Sequence, residues 1–126
     1  MNYNFDNERP IYIQLVEMLK IDIISGKLKT GEKLPSVRDF AASVRVNPNT
    51  MQKALAELEK EKLIYTERTN GKYVTIDEKL IKKIKDIFAK NLTNNYKNDM
   101  YNIGIKEKEI IKYLNEGNEE NGINWI

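Results

Sequence analysis

The first clear pattern of apolar positions lies near the N-terminus. After Pro10, apolar residues recur at three- and four-residue spacing, at Ile11, Leu15, Met18, Leu19 and Ile23. This spacing places them on one face of a helix. Proline suits a first helical turn and glycine often ends a helix, so the pattern predicts a helix from Pro10 to Gly26.

Two shorter helical patterns follow a connection rich in turn residues. Ser36 is suited to cap the first of them, whose inner face is Val37, Phe40, Ala41 and Val44. Asn47 and Pro48 repeat the start signal of a cap followed by proline. They predict a third helix from Pro48 to about Lys62, with an inner face of Met51, Ala54, Leu55 and Leu58.

Two β-prone runs come next, at residues 63–67 and 72–76. The segment between them ends in Asn70-Gly71, a strong hairpin signal because both residues tolerate positive φ. A further helical pattern begins after Asp77, with apolar positions at Leu80, Ile81, Ile84, Ile87, Phe88 and Leu92. Asparagines weaken this helix toward its end, and residues 100–104 are predicted to connect it to a short helix at 106–114.

The fold class expected from this order is mainly α with a small β-hairpin wing. A winged helix-turn-helix is predicted for residues 1–76, and a helical dimerisation tail for residues 77–126. The last dozen residues are polar until the apolar end that contains Trp125. That end is either a loose tail or an apolar plug that docks on the body of the protein.

Composition narrows the classes of function. The chain of 126 residues has no cysteine and no histidine, which excludes disulfides and thiolate metal sites and disfavours an enzyme. No metal, cofactor or catalytic residue is therefore predicted. No apolar run reaches bilayer length and no secretory signal is visible, so a cytoplasmic protein without a membrane partner is expected.

The net charge of +2 is small, but its distribution is uneven. Residues 27–72 carry ten Lys/Arg against six Asp/Glu, which gives +4 over the predicted second and third helices and the hairpin. Proteins that bind phosphate concentrate positive charge in this way. Scatter of a lysine-rich composition explains the excess about equally well.

The third predicted helix begins with polar residues, as a recognition helix does when it enters the major groove of DNA. The candidates for DNA contact at this end are Asn47, Pro48, Asn49, Thr50, Gln52 and Lys53. Asparagine and glutamine read adenine edges, threonine bonds phosphate or touches a thymine methyl, and lysine neutralises phosphate. For Asn47 alone, a capping role is favoured over base contact.

Further candidates flank this helix. Arg38 lies in the first turn of the second predicted helix, and Arg45 lies in the turn before the third. The hairpin tip adds Arg68, Asn70, Gly71 and Lys72. A wing of this kind enters the minor groove, where glycine permits close approach and cations meet an enhanced negative potential. The alternative is a surface turn with incidental charge.

Three segments together resemble the DNA-binding domain of GntR-family transcriptional regulators. They are GKLKTGEKLPSVRDFA from Gly26, VNPNTMQKALAELE from Val46, and Leu63-Ile64 with the later NGKYV from Asn70. The resemblance covers roughly residues 10–76. It implies DNA contacts from Arg38, the start of the third helix and the wing tip.

Two departures from the family pattern affect what the resemblance implies. Many members carry arginine just after the turn, where this chain has Pro48, so base preference does not carry over. Many also read Arg-Gly-x-Gly where this chain has Thr69-Asn70-Gly71. Minor-groove contacts are therefore less firmly implied than the recognition helix.

Only 50 residues follow Ile76, too few for the large effector domains of most members. The short tail resembles the YtrA-like subfamily, whose tails dimerise and whose members often regulate neighbouring transporter operons. The apolar stripe favours a homodimer interface over folding back, with the predicted residues Leu80, Ile84, Ile87, Phe88, Leu92, Ile110, Ile111 and Leu114. Such a dimer reads an inverted repeat in double-stranded DNA.

The leading hypothesis is thus a homodimeric repressor that binds an inverted-repeat operator. The alternative is a winged-helix module for protein–protein contact without a specific DNA target. A small-molecule effector stays open, with Tyr96, Tyr101, Tyr113 or Trp125 as lining residues, although core or interface roles are favoured for these aromatics.

Overall fold

The computed structural model describes residues 3–116, so the predictions for the apolar end around Trp125 lie outside the described residues. The mainly α architecture with a hairpin wing is confirmed. The elements are α1 (Ile11–Ser25), α2 (Val37–Val44), α3 (Pro48–Lys60), β1 (Ile64–Glu67), β2 (Gly71–Val74), α4 (Glu78–Asn102) and α5 (Glu107–Glu116). The helices of the described part contain none long and apolar enough to cross a membrane.

The start signals of the second and third helices act as the sequence predicted. The Ser36 hydroxyl accepts a hydrogen bond from the Asp39 N–H at 3.1 Å, and Asn47 Oδ1 accepts one from the Asn49 N–H at 2.7 Å. Each bond satisfies a main-chain donor that has no partner within the helix. Pro48 occupies the first turn of α3, where a missing N–H costs nothing.

The core forms where α1, α2 and α3 meet the base of the hairpin. Its largest fully buried side chains share the inner faces of these elements and include Leu15, Leu19, Phe40, Met51, Leu55, Leu58, Leu63, Ile64 and Val74. All four predicted inner residues of α3 are buried. In α1 the predicted stripe is only partly right, because Ile11 is exposed and Val16 and Ile24 are buried instead.

A segment before α1 is fixed by a buried glutamine. Gln14 accepts a hydrogen bond from the Asp6 N–H and donates to the carbonyls of Asp6 and Arg9, at 2.8–3.0 Å. The Tyr3 hydroxyl donates to the buried carboxylate of Asp22 at 2.5 Å. Burial and this carboxylate raise the pKa of Tyr3, so the phenol stays a donor.

The hairpin pairs Ile64 with Val74 at its base and Glu67 with Gly71 at its tip. Three residues therefore connect the strands, and within the hairpin only Gly71, the first residue of β2, adopts positive φ (110°). The expectation that Asn70 also does so is wrong. Its N–H instead donates to the Glu67 carbonyl at 3.2 Å, closing a turn that precedes the glycine, as is usual for three-residue hairpin loops.

Several predicted element boundaries are also wrong. Helix α4 continues to Asn102 through the asparagines, and α3 ends at Lys60 rather than Lys62, which has φ of 66°. Each asparagine in a helix interior costs only about 0.7 kcal/mol relative to alanine. The main-chain hydrogen bonds of the neighbouring turns therefore keep this segment helical. After α3, the left-handed conformation of Lys62 turns the chain, and Leu63 is buried in the core.

The chain divides into two compact units at the junction of Lys85 and Asp86, within α4. In the first unit, Leu80, Ile81 and Ile84 pack against the winged-helix core. In the second unit, Ile110 of α5 is buried and Lys97 pairs with Glu107 at 3.1 Å. These contacts fix the start of α4 on the first unit and α5 beside the end of α4 in the second.

Candidate nucleic-acid interface

Helix α3 has one buried and one solvent-facing side. Asn49, Gln52 and Lys53 share the exposed side, because positions three and four apart lie above one another on a helix. They stand opposite the buried residues Met51, Ala54 and Leu55. The exposed amides of this side can both donate to and accept from base edges.

The first residues of α3 differ in how available they are. Asn49 is exposed, whereas Thr50 is partly buried. The Asn47 side-chain oxygen is already engaged in its cap, and Pro48 has no main-chain donor to offer. Asn47 and Pro48 therefore shape the start of the helix, and Asn49 carries the free amide there.

The turn before α3 holds Arg45 in the left-handed conformation, with φ of 60° and ψ of 47°. Its N–H and that of Val46 bond back to carbonyls of α2, which closes the turn between the two helices. The Arg45 side chain is exposed, as is Arg38 in the first turn of α2. Both guanidinium groups are thus accessible beside the helix-turn-helix.

Lys53 has a partner that the sequence did not indicate. Its ammonium lies 3.9 Å from the ring centroid of Tyr12, in α1. The ring quadrupole attracts the cation and restrains a long side chain that would otherwise move freely. Lys53 is therefore a localised positive charge at the α1 edge of α3.

The wing tip is exposed from Glu67 to Gly71. Arg68 and Asn70 lie at this tip, and the positive φ of Gly71 disfavours any residue with a Cβ. A Cβ built on Gly71 would lie 3.6 Å from Cε of Lys33, so the stem of this lysine runs beside the glycine. Lys33 is exposed and was not among the predicted site residues.

Lys72, although predicted to contact DNA, is engaged within the protein. Its ammonium donates to Glu59 Oε1 at 3.1 Å and to the Thr66 hydroxyl at 2.9 Å, and only 19% of its side chain is exposed. Burial raises the pKa of Glu59, but the hydrogen bonds from Lys72 and Thr66 and the Lys72 charge outweigh it and hold the pKa below its ordinary value.

A cleft of about 430 Å³ joins the start of α2 to the wing. Its walls are residues 33–37 on one side and residues 66–72 on the other, so Lys33 and Arg68 both line it. A hydrogen bond from the Leu34 N–H to the Lys72 carbonyl, at 2.8 Å, ties the two walls together. Positive side chains from two segments thereby border one groove.

Comparison with known sequences identifies the family. The model described as "Bacterial regulatory proteins, gntR family" matches residues 11–74, which contain α1 to β2. The chain belongs to the GntR family. The resemblance in the helix-turn-helix segments and the wing is thus confirmed.

Full-length and partial relatives agree with this assignment. The HTH-type transcriptional regulator YhcF of Bacillus subtilis is 29% identical over 93% of this chain and 99% of its own. The HTH-type transcriptional repressor YtrA of the same organism is 44% identical over 56% of this chain and 54% of its own. This GntR-family chain is therefore a transcriptional regulator of the YtrA-like kind.

Solved structures match in the same way. A GntR family transcriptional regulator from Listeria monocytogenes has a TM-score of 0.81 at 41% identity, covering 89% of this chain and 98% of its own. The DNA-binding domain of AraR, in complex with its operator, has a TM-score of 0.52 at 25% identity, covering 57% of this chain and 93% of its own. The GntR winged helix is shared by both.

The predicted dimer residues of this GntR-family regulator divide into two groups. Leu80 and Ile84 pack against the winged-helix core, so most of their apolar surface is already covered. In the second unit, an apolar groove of about 420 Å³ runs between α4 and α5. Its lining includes Leu92, Ile110, Ile111 and Leu114 from the predicted interface, together with Tyr96.

The remaining predicted tail residues do not line this groove. Ile87 is 49% exposed and Phe88 is partly buried. Tyr101 and Tyr113, named above as lining for an effector, are exposed, and Trp125 lies outside the described residues. Of the three tyrosines, all within the described part of the chain, the structure brings Tyr96 into the apolar groove.

Sequence reasoning missed three residues of the interface region: Tyr12, Lys33 and Glu59. Each acts through a partner distant in sequence, namely Lys53, Gly71 and Lys72. The periodicity of a helix shows which side is exposed, but it does not show what packs beside that side. Likewise, nothing in the local sequence indicates that Glu59 pairs with Lys72 of β2.

Proposed function

We propose that the protein is a homodimeric repressor that binds an inverted-repeat operator and blocks access to a promoter. The main support is the exposed polar side of α3. Beside it lies the hairpin, whose tip contains Gly71 with Lys33 next to it. The operator complex of the AraR domain supports DNA as the partner of such a winged helix. The names of several relatives, including YtrA, describe repressors.

Within this proposal, different residues serve affinity and base choice. Arg38, Arg45, Lys53 and Arg68 neutralise phosphates, to which we now add Lys33. Asn49, Gln52 and Thr50 read base edges in the major groove, while Asn70 and Gly71 approach the minor groove. Asn47 and Pro48 orient the start of α3 rather than read bases.

We further propose that residues 77–126 form the dimerisation tail and residues 1–76 the DNA-binding domain. The groove between α4 and α5 supports this, because Leu92, Ile111 and Leu114 are 58–66% exposed around it. A second copy would cover these apolar side chains. Ile87 and Phe88 extend the same interface, while Leu80 and Ile84 join the tail to the winged helix.

The regulated genes are proposed to lie beside the gene for this protein, as a transporter operon. Footprinting of the purified protein on that upstream DNA tests the proposal. We expect a protected inverted repeat whose half-sites lie about 34 Å apart or a multiple of it. Equal binding to all fragments, without a protected repeat, would favour the protein-contact alternative instead.

Salt dependence gives a second test. The affinity for the protected repeat should fall steeply with salt, because each neutralised phosphate contributes a slope of about −0.9 to log K against log salt concentration. Arg38→Ala should weaken binding to all sequences and flatten this slope. Gln52→Ala should instead change which bases are tolerated while leaving the slope nearly unaltered.

A further inference from the structure

The hairpin presents the same face to α3 along its length, but the chemistry of that face changes. At the base, the cross-strand pair Ile64 and Val74 is buried in the core. Two residues further out, on the same face, the pair is Thr66 and Lys72. Apolar contact therefore ends at the base, and polar groups continue the contact toward the tip.

Glu59, in the last turn of α3, completes a closed ring of hydrogen bonds. The Lys72 ammonium donates to both Glu59 and Thr66, and the single proton of the Thr66 hydroxyl is shared between the two Glu59 oxygens, at 2.9 and 3.1 Å. The Thr66 hydroxyl accepts from Lys72 and donates to Glu59, so these two bonds polarise each other. We call Glu59, Thr66 and Lys72 the wing clasp.

The clasp holds the side of the wing that faces α3. The base of the hairpin is buried and β2 is bonded to Leu34 on its other side, but residues 67–71 are exposed, and two strands alone are marginally stable in water. A tip that must reach the minor groove while α3 lies in the major groove binds more tightly when its position is already set before DNA arrives. The clasp joins these two DNA-facing elements directly.

We infer that the wing clasp is a positioning device: Glu59 and Lys72 hold the wing at a fixed place relative to α3, and Lys72 neutralises no phosphate. Lys33, exposed beside Gly71, supplies the wing-side cation together with Arg68. This inference rests on the proposed function, since it assigns roles within DNA binding. It removes Lys72 from the predicted DNA contacts.

A double-mutant cycle with the operator tests the coupling. Glu59→Gln and Lys72→Met should each weaken operator binding by about tenfold, which is the size of coupling between directly contacting residues. The double variant should be no weaker than either single variant, because the clasp is lost once. Additive losses, or unchanged affinity in both single variants, would overturn the inference.

The salt slope separates positioning from phosphate contact. Lys72→Met should keep the wild-type slope of log K against log salt concentration. The matched variant Lys33→Met, at an exposed lysine in the same cleft, should flatten it by about 0.9. A slope flattened by that amount in Lys72→Met would show a phosphate contact and contradict the inference.

Hydrogen exchange of the free full-length protein tests whether the clasp holds the wing in the absence of DNA. Glu59→Gln and Lys72→Met should speed amide exchange in residues 64–74, while exchange in α1 stays as in the wild type. Glu57→Gln, which makes the same change two residues earlier in α3, is the matched control and should change neither. If the wild type binds no repeat, the proposed function fails, yet faster wing exchange would still establish the clasp. Unchanged wing exchange in both variants would refute it.

Discussion

Arg45 and Lys62 are non-glycine residues in the left-handed region, with φ of 60° and 66°. Each follows a helix and closes it, at a place where glycine is favoured because it has no Cβ. The left-handed conformation costs a residue with a Cβ about 1 kcal/mol. The protein therefore carries strain at the ends of both helices of the helix-turn-helix.

These two residues provide a matched pair of substitutions. Arg45→Gly and Lys62→Gly should each raise the free energy of unfolding by up to about 1 kcal/mol, measured by urea denaturation. Only Arg45→Gly should weaken operator binding, because its side chain is proposed to contact phosphate. Equal effects of both variants on binding would remove Arg45 from the DNA-facing set.

Glu59 sets a pH dependence that follows from its lowered pKa. A carboxylate whose pKa is lower in the folded state stabilises the fold above its ordinary pKa of 4.5, and that stabilisation is lost as the pH falls through the folded value. Because the Glu59 side chain is 39% exposed, the contribution should stay below about 1 kcal/mol.

Urea unfolding of the wild type and Glu59→Gln measures this contribution. The wild type should be the more stable at neutral pH, and the difference should vanish as the pH falls below 4.5. The difference should also be small when both proteins carry Lys72→Met, since the clasp is then already broken. A difference that grows on acidification would contradict the sign of the shift.

At the scale of elements, the exposed apolar side chains of the second unit determine the assembly that we propose. Ile111→Lys places a charge in the groove between α4 and α5 and should convert the dimer to a monomer in analytical ultracentrifugation. Ile111 is 58% exposed, so the fold itself should survive. The matched control Ile21→Lys, at a 47% exposed isoleucine of α1, should remain dimeric.

The elements also show where the sequence was informative. Ser36 and Asn47 cap α2 and α3 as predicted, because a cap acts within three residues and its signal is local. The continuation of α4 through its asparagines was missed, since propensity is a weak guide over a long helix. Likewise, the Asn70 conformation depends on the hairpin register, which the dipeptide alone does not determine.

The candidate site could be predicted to a similar extent. The exposed side of α3 follows from its apolar spacing, so the exposure of Asn49, Gln52 and Lys53 could be predicted. The role of Lys72 was not, because it depends on Glu59 reaching it across the space between a helix and a strand. Charge in a sequence shows where cations lie along the chain, whereas pairing within the fold determines which of them can meet a phosphate.

At the scale of the whole molecule, the proposed two-fold dimer would constrain the operator. Inserting about five base pairs between the half-sites turns them to opposite faces of the duplex and should reduce binding to that of a single half-site. Changing one base pair within a half-site should instead cost about 1–3 kcal/mol and leave the other half-site protected. Gel shift with the two operators distinguishes these effects. Full binding after the insertion would be inconsistent with a two-fold dimer.

The two tyrosines on the outer face of the wing have an optical consequence. Tyr65 and Tyr73 form a cross-strand pair whose rings stack with centroids 5.6 Å apart and planes 18° apart. Two fixed aromatic chromophores at this separation give a near-ultraviolet circular dichroism signal that disappears when their packing is lost. The chain has five other tyrosines and one tryptophan, so the share of the wing is the difference between the near-ultraviolet spectra of the wild type and Tyr65→Leu. That difference follows the melting of the wing in unlabelled protein, apart from the helical signal in the far ultraviolet.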